Sequence, residues 1–591
     1  MPLPEELYAL KVRARYAVPA GTKGACSPHL PQQCPHPNRR ARDLTYIRAE
    51  YAYLSQDRAV NPLSPIAVAG RFPLSEQYGL TWALPYLPQL LRSVVDAEVK
   101  KLWYGVRGLF GPVDKLEAFA GLFSPDLPAP PEVDDWRRDA VFARNRLDGP
   151  NPLLISRITD AAQLARTVGI DDPQFQSVMG ATRSLADELR DGNLFVADFQ
   201  LLQRSLLPQT EHRRDSRWRA KYLPAPVALF CQRAGVDSYC DLQPVAIRID
   251  QTDAAPPNPL YLRGPGEDWL TAKTFVEIAE FNLQAMSSHI YRHHYLAEPF
   301  SVTTHRQLSP EHPLFVFLEP HLAYTLAVNG SAFDLLKQEG SIFDEIYAGE
   351  LCETRAIMIE SYKQWTVRDQ ALDSDLTARG VDSAPREYPF RDDGRLWLEP
   401  LQRFVEDYLK LYYHAIGDVQ NDWELQAWAR ELVAPDGGNL RGLFEGDELV
   451  SVSQLAGVLA QFLFTVGPGH AAVHYPQTDY FTYIPAFPGA AYRPPAAAGD
   501  PITNDRFLAT LPSISVGADQ FLNNQIANYR FDRFGDYSAW PLSHVAAAQP
   551  AIARLRQELA GIEETITARN RTRPRPYTYL LPSLVPNSIN I

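Results

Sequence analysis

The stretch that decides the fold is DWLTAKTFVEIAEFNLQAMSSHIYRHHYLAEPF, residues 268–300. Its pattern predicts a helix that begins after Asp268, which we expect to be the N-cap. His289 continues the apolar side of this helix, where an imidazole without a partner would cost about 1–3 kcal/mol, so it needs a ligand or a hydrogen bond. The apolar residues recur every three or four positions, as in an amphipathic helix, at Trp269, Ala272, Val276, Ala279, Leu283 and Met286.

Helix geometry leaves the partner of His289 open. At about 100° per residue, His293 lies about 40° round a regular helix from His289, and His294 lies about 140° away. A regular helix therefore favours His293, whereas a π-bulge would bring His294 to the same side. His470 and His474 stand four apart in GHAAVHY and share one face of a helix. Two helices could then supply four imidazole nitrogens to one metal ion.

Composition restricts the class of protein. The chain has 591 residues, a formal charge of −13 and 45% hydrophobic residues, so it can bury a large core, and nucleic acid is not expected as a partner. Five scattered cysteines do not form a disulfide framework, which favours a reducing compartment. No stretch has the roughly 18 unbroken apolar residues of a spanning helix. We expect a cytoplasmic protein, with membrane contact left open.

The sequence pattern predicts a mainly helical fold, with a small sheet inserted ahead of the main helices. The β-rich runs that predict this sheet are 193–202, 226–232 and 243–249. An amphipathic helix is expected at 84–110, its start delayed by Pro88, and we expect it to pack into the core in preference to contacting a membrane.

The N-terminal region, residues 1–75, is predicted to be irregular. Pro, Gly and polar residues without periodicity fill its segment 17–40. Four side chains there could bind a metal, but their spacing matches no common zinc pattern, so coincidence is favoured. They are Cys26, His29, Cys34 and His36.

Several long stretches of the chain resemble the lipoxygenases, non-haem iron dioxygenases of polyunsaturated fatty acids. The resemblance begins in FARNRLDGPNPLLISRI (142–158), continues through the whole of 268–329 and 388–433, and includes GHAAVHYPQ (469–477). It ends in ITARNRTRPRPYTYLLPSLVPNSINI (566–591). It is strongest over residues 140–591 and implies one large helical catalytic domain at 76–591. The lipid-targeting β-sandwich of plant and animal members is not expected before it.

The resemblance also implies the metal ligands. The family places two iron-binding histidines five apart on a central helix with a π-bulge, which selects His289 and His294 and leaves His293 out. The other implied ligands are His470, His474 and the terminal carboxylate of Ile591. Gln477 is similar to a glutamine that orients a ligand from behind. Three more histidines match residues that do not bind the metal and are taken as structural, namely His305, His312 and His321.

The implied reaction takes a hydrogen atom from the methylene between two cis double bonds and adds O2 to the resulting radical, giving a fatty-acid hydroperoxide. Imidazoles with one carboxylate and no thiolate suit iron, as Fe2+ or Fe3+, better than manganese, and no organic cofactor is implied. The substrates implied are linoleate, linolenate or arachidonate, with O2. The enzyme is expected to be a monomer. The alternative is a catalytically altered relative that converts hydroperoxides or only binds lipid.

Pocket residues follow from the same resemblance. Ala332 matches the position at which alanine accompanies S products, so an S-hydroperoxide is predicted. Leu336 and Ile526 are expected to clamp the reactive pentadiene, and Ile342 and Phe343 to line the depth of the pocket.

The chain departs from the family pattern at two positions, and it lacks a residue that one competing class of enzyme needs. Pro468 in GPGH replaces a more helix-friendly stretch, so we expect a kinked or widened helix ahead of His470. Phe487 stands where plant members often carry an arginine that meets the substrate carboxylate. A zinc hydrolase would need Glu directly after His289, but Ile290 is there.

Overall fold

Helices dominate the computed structural model, and two small antiparallel sheets accompany them. The mainly α fold with a small sheet insertion is therefore confirmed. The structure describes residues 27–108, 114–125, 127–130, 133–180, 183–206, 219–233, 235, 237–250, 259–415, 417–496 and 502–591.

The helices are labelled here in chain order. Before the central helix they are α1 Pro37–Arg48, α2 Leu80–Gly108, α3 Lys115–Ala120, α4 Asp139–Asp148, α5 Ala161–Thr167, α6 Asp172–Met179, α7 Leu185–Arg190 and α8 Gln200–Ser205. The central helix comprises α9 Glu267–Leu283, a π-helical turn Gln284–Tyr295 and α10 Leu296–Gln307. After it come α11 Pro313–Leu322, α12 Thr325–Leu335, α13 Ile342–Ile346, α14 Leu351–Gln364, α15 Leu372–Ala378, α16 Pro389–Leu409, α17 Gly417–Asn421 and α18 Trp423–Val433. The last group is α19 Val452–Phe464, a second π-helical turn Thr465–Gly469, α20 His470–His474, α21 Pro476–Phe481, α22 Asn504–Thr510, α23 Ile514–Ile526 and α24 Gln549–Asn570.

The larger sheet has five antiparallel strands in sequential order. Its three longest strands lie where the β-rich runs predicted them, and they are buried because both faces are covered by apolar clusters. A separate two-stranded sheet joins β1 Ala52–Tyr53 to β2 Ala69–Arg71. The strands of the larger sheet are β3 Ser156–Arg157, β4 Leu194–Asp198, β5 Val227–Gln232, β6 Leu242–Arg248 and β7 Leu260–Leu262.

The central helix is buried on all sides. Every residue from Trp269 to Phe300 is buried, so the predicted apolar side is part of a helix that the rest of the fold surrounds. The predicted N-cap is wrong: Gly266 is the N-cap, and Asp268 lies in the first turn. A carboxylate there still favours the positive end of the helix dipole. The predicted π-bulge is confirmed and extends over twelve residues.

The second long helix, α19 to α21, is also widened ahead of His470. Pro468 has no N–H for the regular helical bond, and the turn Thr465–Gly469 is π-helical. Both flanking glycines are required by close packing. A Cβ on Gly467 would lie 2.8 Å from the Phe534 ring, and one on Gly469 would lie 2.9 Å from the Phe464 carbonyl oxygen. The departure at GPGH therefore has a structural cause.

In the described part of the chain, one helical run is long and apolar enough to cross a membrane. It extends over Val452–Phe481 and is 83% buried inside the protein. Because it carries His470 and His474 in the core, we interpret it as a core helix.

Helix α2 differs from its prediction in two respects. It begins at Leu80, before both Pro85 and Pro88, instead of after them. Both prolines lie on the exposed side, where water can bind the carbonyl groups that lose their helical partner. The expectation that the helix packs into the core is wrong for its outer face, which is exposed.

The N-terminal region is more regular than expected. Helix α1 begins at Pro37, and Leu30, Leu63, Ile66 and Val68 join the main apolar core. The predicted irregularity of 17–40 is tested only from residue 27 onward, because residues 1–26 lie outside the described part of the chain.

Candidate metal centre

Four buried histidines from the two long helices converge on one point. Nε2 of His289 lies 3.2 Å from Nε2 of His470 and 3.1 Å from Nε2 of His294, and the last two nitrogens are 3.1 Å apart. Nδ1 of His474 lies 3.0 Å from Nε2 of His289. His289 and His294 stand five residues apart, and the π-helical turn brings both to the same side of the central helix.

The outer nitrogens of three of these rings have partners that fix the orientation of the ring. His294 Nδ1 donates to Asn329 Oδ1 at 2.9 Å, and His474 Nε2 donates to the Ala527 carbonyl at 2.8 Å. The Gln477 amide lies 3.0 Å from His289 Nδ1. The atom nearest to His289 Nδ1 is Gln477 Nε2, which also donates to Gln284 Oε1 at 3.1 Å.

Burial keeps these imidazoles neutral. It lowers the pKa of His294 to about 4 and the pKa of His474 to about 3. Burial, together with the neighbouring histidines, lowers the pKa of His289 and of His470 well below the ordinary value. Neutral imidazoles are the form that binds a metal.

The spacing of the four nitrogens fits a metal with ligands at right angles. Nitrogens about 2.1 Å from one ion lie about 3.0 Å apart at 90° and about 3.4 Å apart at tetrahedral angles. The observed separations of 3.0–3.2 Å match the first value. Neutral imidazoles that direct lone pairs at one point repel each other unless a cation lies between them. The cluster is therefore consistent with a metal site in its chemistry as well as its geometry.

His293 is not part of the cluster. Its Nδ1 lies 2.7 Å from the Ser288 carbonyl oxygen, five residues earlier, and its Nε2 faces the backbone of Gly469. The pairing of His289 with His293 that a regular helix favoured is wrong. With it the zinc-hydrolase hypothesis, which required that pair, is excluded.

The C-terminal segment is buried and tied down residue by residue. The Asn587 side chain bonds both to Asp532 and to the carbonyls of Arg533 and Asp536. Thr325 Oγ1 donates to the Ile589 carbonyl at 3.2 Å, and Trp82 Nε1 donates to the Asn590 carbonyl at 3.1 Å. These bonds place Ile591 in the lining of the cavity that His289, His294 and His474 also line.

Three histidines of the cluster, His289, His294 and His474, line a cavity of about 570 Å³ whose lining is mainly apolar. Of the residues predicted for it, Ala332, Phe343, Ile526 and Gln477 line it. Leu336 is fully buried but belongs to the surrounding core, with Leu335 in the lining instead. Ile342 packs against the core outside the lining. The remaining lining comes largely from α2, through Trp82, Ala83, Tyr86, Leu87 and Leu90.

Asn329 is the positioning residue that the sequence analysis missed. Its Oδ1 accepts from His294 Nδ1, while its Nδ2 donates to the His294 carbonyl at 3.0 Å and to Glu298 Oε2 at 2.7 Å. One side chain thus fixes both the backbone and the ring of a histidine in the cluster. The available signal was a polar residue in an apolar stretch one helical turn before Ala332.

The other histidines of the first cluster have contacts away from the cavity. His305 Nδ1 bonds to the Ser301 carbonyl at 2.8 Å, and His312 Nε2 lies 2.9 Å from Asp422 Oδ2. His321 Nδ1 donates to the Asn587 carbonyl at 2.9 Å, so it holds the C-terminal segment. These contacts agree with the structural roles expected for all three.

Phe487, His29, Cys34 and His36 lie away from the four-histidine cluster. Phe487 lines a separate small cavity beside Tyr480. His29, Cys34 and Glu311 lie close enough together to hold a metal ion, and His29 Nε2 is 3.8 Å from Glu311 Oε2. His36 is exposed, and Cys26 lies outside the described residues.

Comparison with known proteins agrees with this geometry. The family model described as Lipoxygenase matches residues 117–510, more than half of the chain. A linoleate 9/13-lipoxygenase of Pseudomonas aeruginosa is 33% identical over 502 residues, which are 81% of this chain and 70% of that protein. The crystal structure of a coral 8R-lipoxygenase superposes with a TM-score of 0.82 at 25% identity, covering 96% of this chain and 83% of that one.

The chain therefore belongs to the lipoxygenase family, which consists of dioxygenases. The similar proteins are not all named as lipoxygenases. A human hydroperoxide isomerase ALOXE3 is 29% identical over 463 residues, which are 78% of this chain and 63% of that protein.

Proposed function

We propose that this protein is an iron-dependent lipoxygenase that converts polyunsaturated fatty acids of the linoleate, linolenate or arachidonate type into S-hydroperoxides. The observation that carries the proposal is the cluster of four neutral imidazoles at an apolar cavity of about 570 Å³ that Ile591 also lines. A long apolar chain fits such a lining, and a fatty acid with O2 needs no further binding site for an organic cofactor.

Iron is the metal proposed for this cluster. His289, His294, His470 and His474 would hold it, together with the carboxylate of Ile591. Four imidazoles and one carboxylate at right-angle spacing favour iron, with manganese as the less favoured occupant. The chemistry that iron supplies in such a site is one-electron redox chemistry, which hydrogen-atom removal from a methylene requires.

The protein's own residues have three tasks in the proposed reaction. The apolar lining holds the acyl chain and excludes water, so that a radical on the chain meets O2 and not a competing donor. Ala332 and Ile526 line the same cavity. We propose that Ala332 sets which face of the pentadiene O2 reaches and that Ile526 clamps the pentadiene. Asn329, Gln477 and the Ala527 carbonyl keep the imidazoles in position.

The direct test is incubation of the iron-loaded protein with linoleate and with arachidonate under O2. We expect absorbance from a conjugated diene and one S-hydroperoxide on chiral chromatography. Absence of a diene from every polyunsaturated substrate would contradict the dioxygenase proposal. An R product would contradict the role of Ala332 alone.

A hydroperoxide-converting activity is the second candidate, favoured by the relative named hydroperoxide isomerase. It predicts that the protein consumes an added fatty-acid hydroperoxide and forms no diene from the free acid. The four described cysteines are free, which supports the proposal of a reducing, cytoplasmic location. We also propose a monomer.

A further inference from the structure

A second group of side chains with metal-ligating atoms lies on the N-terminal segment, away from the four-histidine cluster. His29, Cys34 and Glu311 each offer one such atom, and the three atoms lie within 4.8 Å of one another. They are an imidazole nitrogen, a sulfur and a carboxylate oxygen. Spacing along the sequence matched no zinc pattern because the third side chain comes from Glu311, far along the chain.

The backbone brings the three side chains together. A short 3₁₀ turn, Pro31–Gln33, separates His29 from Cys34. The Cys34 N–H closes this turn on the Pro31 carbonyl at 3.2 Å. The His29 N–H donates to the Glu311 carbonyl at 3.0 Å, which holds the loop between α10 and α11 against the segment. These bonds position the three side chains without the help of a metal.

Two of the three ligand atoms are buried and have no hydrogen bond. His29 Nε2 and Glu311 Oε2 lie 3.8 Å apart, which is too far for a hydrogen bond. Neither atom has another hydrogen-bond partner in the described part of the chain. Both are buried although 25% of the His29 side chain and 27% of the Glu311 side chain are exposed, so they face inward. Buried polar atoms without partners are costly, and a cation between them removes that cost.

The other ring nitrogen of His29 determines what Nε2 offers. Nδ1 lies 3.3 Å from the Ser27 carbonyl oxygen, an atom that can only accept, so Nδ1 carries the proton. Nε2 of the neutral ring then has a lone pair beside the Glu311 carboxylate, and these electron-rich atoms repel each other. An ordinary ion pair would bring an Nε2 proton within hydrogen-bond distance of the carboxylate, which the 3.8 Å separation excludes. The arrangement therefore favours a metal ion between them.

The neighbouring cation, Arg40, does not take the place of a metal. Its charge acts on both Cys34 and Glu311. Its guanidinium, however, donates to both carboxylate oxygens of Glu424, at 2.6 Å and 2.9 Å, and its Nη1 donates to the His29 carbonyl at 3.1 Å. Because Arg40 and Glu424 already form a buried pair, the negative charges of a Cys34 thiolate and of Glu311 are left for a divalent cation.

We propose that His29, Cys34 and Glu311 form a second metal site, which binds Zn2+ and fastens the N-terminal segment to the loop ahead of α11. Imidazole, thiolate and carboxylate are all ligands of Zn2+, whereas Mg2+, Ca2+ and Mn2+ prefer oxygen ligands to thiolate. Cys34 binds as the thiolate and releases its proton to solvent. The inference does not depend on the proposed function.

The geometry needs little adjustment to hold the ion. Nitrogen and oxygen ligands about 2.1 Å from Zn2+ lie about 3.4 Å apart at tetrahedral angles. A small rotation of the partly exposed side chains of His29 and Glu311 brings their 3.8 Å separation to this value. Water takes the fourth position, since both of these side chains reach the surface.

The test uses the full chain, loaded with iron before zinc is added. X-ray absorption at the zinc edge identifies the ligands, and competition with a chelator series gives the affinity. Zinc at the proposed site has sulfur at about 2.3 Å with nitrogen and oxygen at about 2.0–2.2 Å, whereas zinc in the four-histidine cluster has no sulfur ligand. The variants are C34S and E311Q. The matched control is C352S, which removes a free, exposed cysteine beside Glu350.

We expect sulfur-bound zinc in the wild type and in C352S, and none in C34S. E311Q should bind zinc about tenfold more weakly or worse, because it loses the charged ligand. Circular dichroism checks the fold of each variant, and E311Q decides the question if C34S does not fold. The proposal is overturned if wild-type zinc has no sulfur ligand, if a folded C34S or E311Q binds zinc as the wild type does, or if C352S loses the sulfur-bound zinc.

Amide hydrogen exchange tests the fastening role. Zinc should slow exchange across residues 27–34 in the wild type and in C352S, and leave it unchanged in C34S. Equal exchange in the wild type with and without zinc would overturn this role. No fatty acid enters these measurements, so they are separate from any failure of the proposed function.

Discussion

At the residue scale, the orientation of each imidazole depends on what its outer nitrogen touches. Asn329 is the clearest case, because it binds both the ring and the backbone carbonyl of His294. Loss of a hydrogen bond to the outer nitrogen of a metal-binding histidine ordinarily lowers metal affinity by about 10–100-fold.

We predict that N329L lowers metal affinity by about 10–100-fold, because His294 Nδ1 loses its acceptor and the ring can rotate. Metal content after dialysis against a graded chelator series measures the change. S331A is the matched control, since Ser331 lies two residues from Asn329 and lines the cavity at the histidine cluster, but its hydroxyl bonds to the Ala327 carbonyl. Equal metal retention in N329L and the wild type would exclude this role.

A second prediction concerns the glycine before His470. A Cβ on Gly469 would lie 2.9 Å from the Phe464 carbonyl oxygen and 3.1 Å from His293 Nε2, so G469A should cost about 1–3 kcal/mol of unfolding free energy. Gly457 lies on the preceding helix with nothing within 4 Å of its Cβ position, so G457A should be neutral or stabilise by up to about 1 kcal/mol. Urea unfolding of both variants checks the difference, and equal effects would contradict it.

Sequence reasoning reached some of these residues and not others. His289, His470 and His474 follow from helical spacing, but His294 could be chosen over His293 only through resemblance to the family. The reason is physical: local widening depends on tertiary bonds such as Gln284 Nε2 to the Val473 carbonyl, 189 residues away. Asn329 was missed because its contact with His294 joins two helices 35 residues apart.

At the element scale, hydrogen bonds hold the C-terminal segment, residues 587–591, in a fixed position. Its carbonyls and side chains bond to α2, α12 and the segment around Asp532. These bonds fix the position of Ile591. That position is important for metal binding only if the Ile591 carboxylate is a ligand.

We predict that one glycine added after Ile591 abolishes metal binding and activity while the fold is kept, because the carboxylate moves by one residue, away from the imidazole nitrogens. I591V, which keeps the carboxylate in place, should bind metal as the wild type does. Metal analysis with circular dichroism separates loss of the site from loss of the fold. Full metal content in the extended chain would contradict the ligand role of Ile591.

Helix α2 shows the limit of sequence patterns for elements. Its apolar repeat predicted a helix correctly, but the repeat cannot say whether protein or solvent meets the apolar face. The fold places the polar side chain of Gln89 and the Trp82 indole N–H inward, bonded to carbonyls, and turns the leucines outward. The expectation that the apolar face packs into the core was therefore wrong. The apolar repeat marks the exposed face of the helix, while hydrogen bonds hold the inner face.

At the scale of the whole molecule, burial of neutral imidazoles links stability to pH. His321 shows this away from the metal site: burial lowers its pKa to about 4, while the ordinary value is about 6.5. Between these values the unfolded chain binds a proton that the folded chain does not. The contribution of His321 to the unfolding free energy therefore falls as pH falls from about 6.5 toward 4, and levels off above 6.5.

We predict that H321Q makes this fall shallower in the metal-free protein. Between pH 6 and pH 5 the slope should decrease by about one proton, or about 1.4 kcal/mol per pH unit. Glutamine can still donate to the Asn587 carbonyl, so the comparison is one of proton uptake. Denaturant unfolding at a series of pH values gives the slopes, and identical slopes would show that His321 is protonated alike in both states.

The most direct test of the central claim is an anomalous difference map of the iron-loaded crystal at the iron absorption edge. We predict one strong peak within about 2.3 Å of Nε2 of His289, His294 and His470, Nδ1 of His474 and a carboxylate oxygen of Ile591. A peak that includes His293, or one from which the Ile591 carboxylate stands apart, would contradict it.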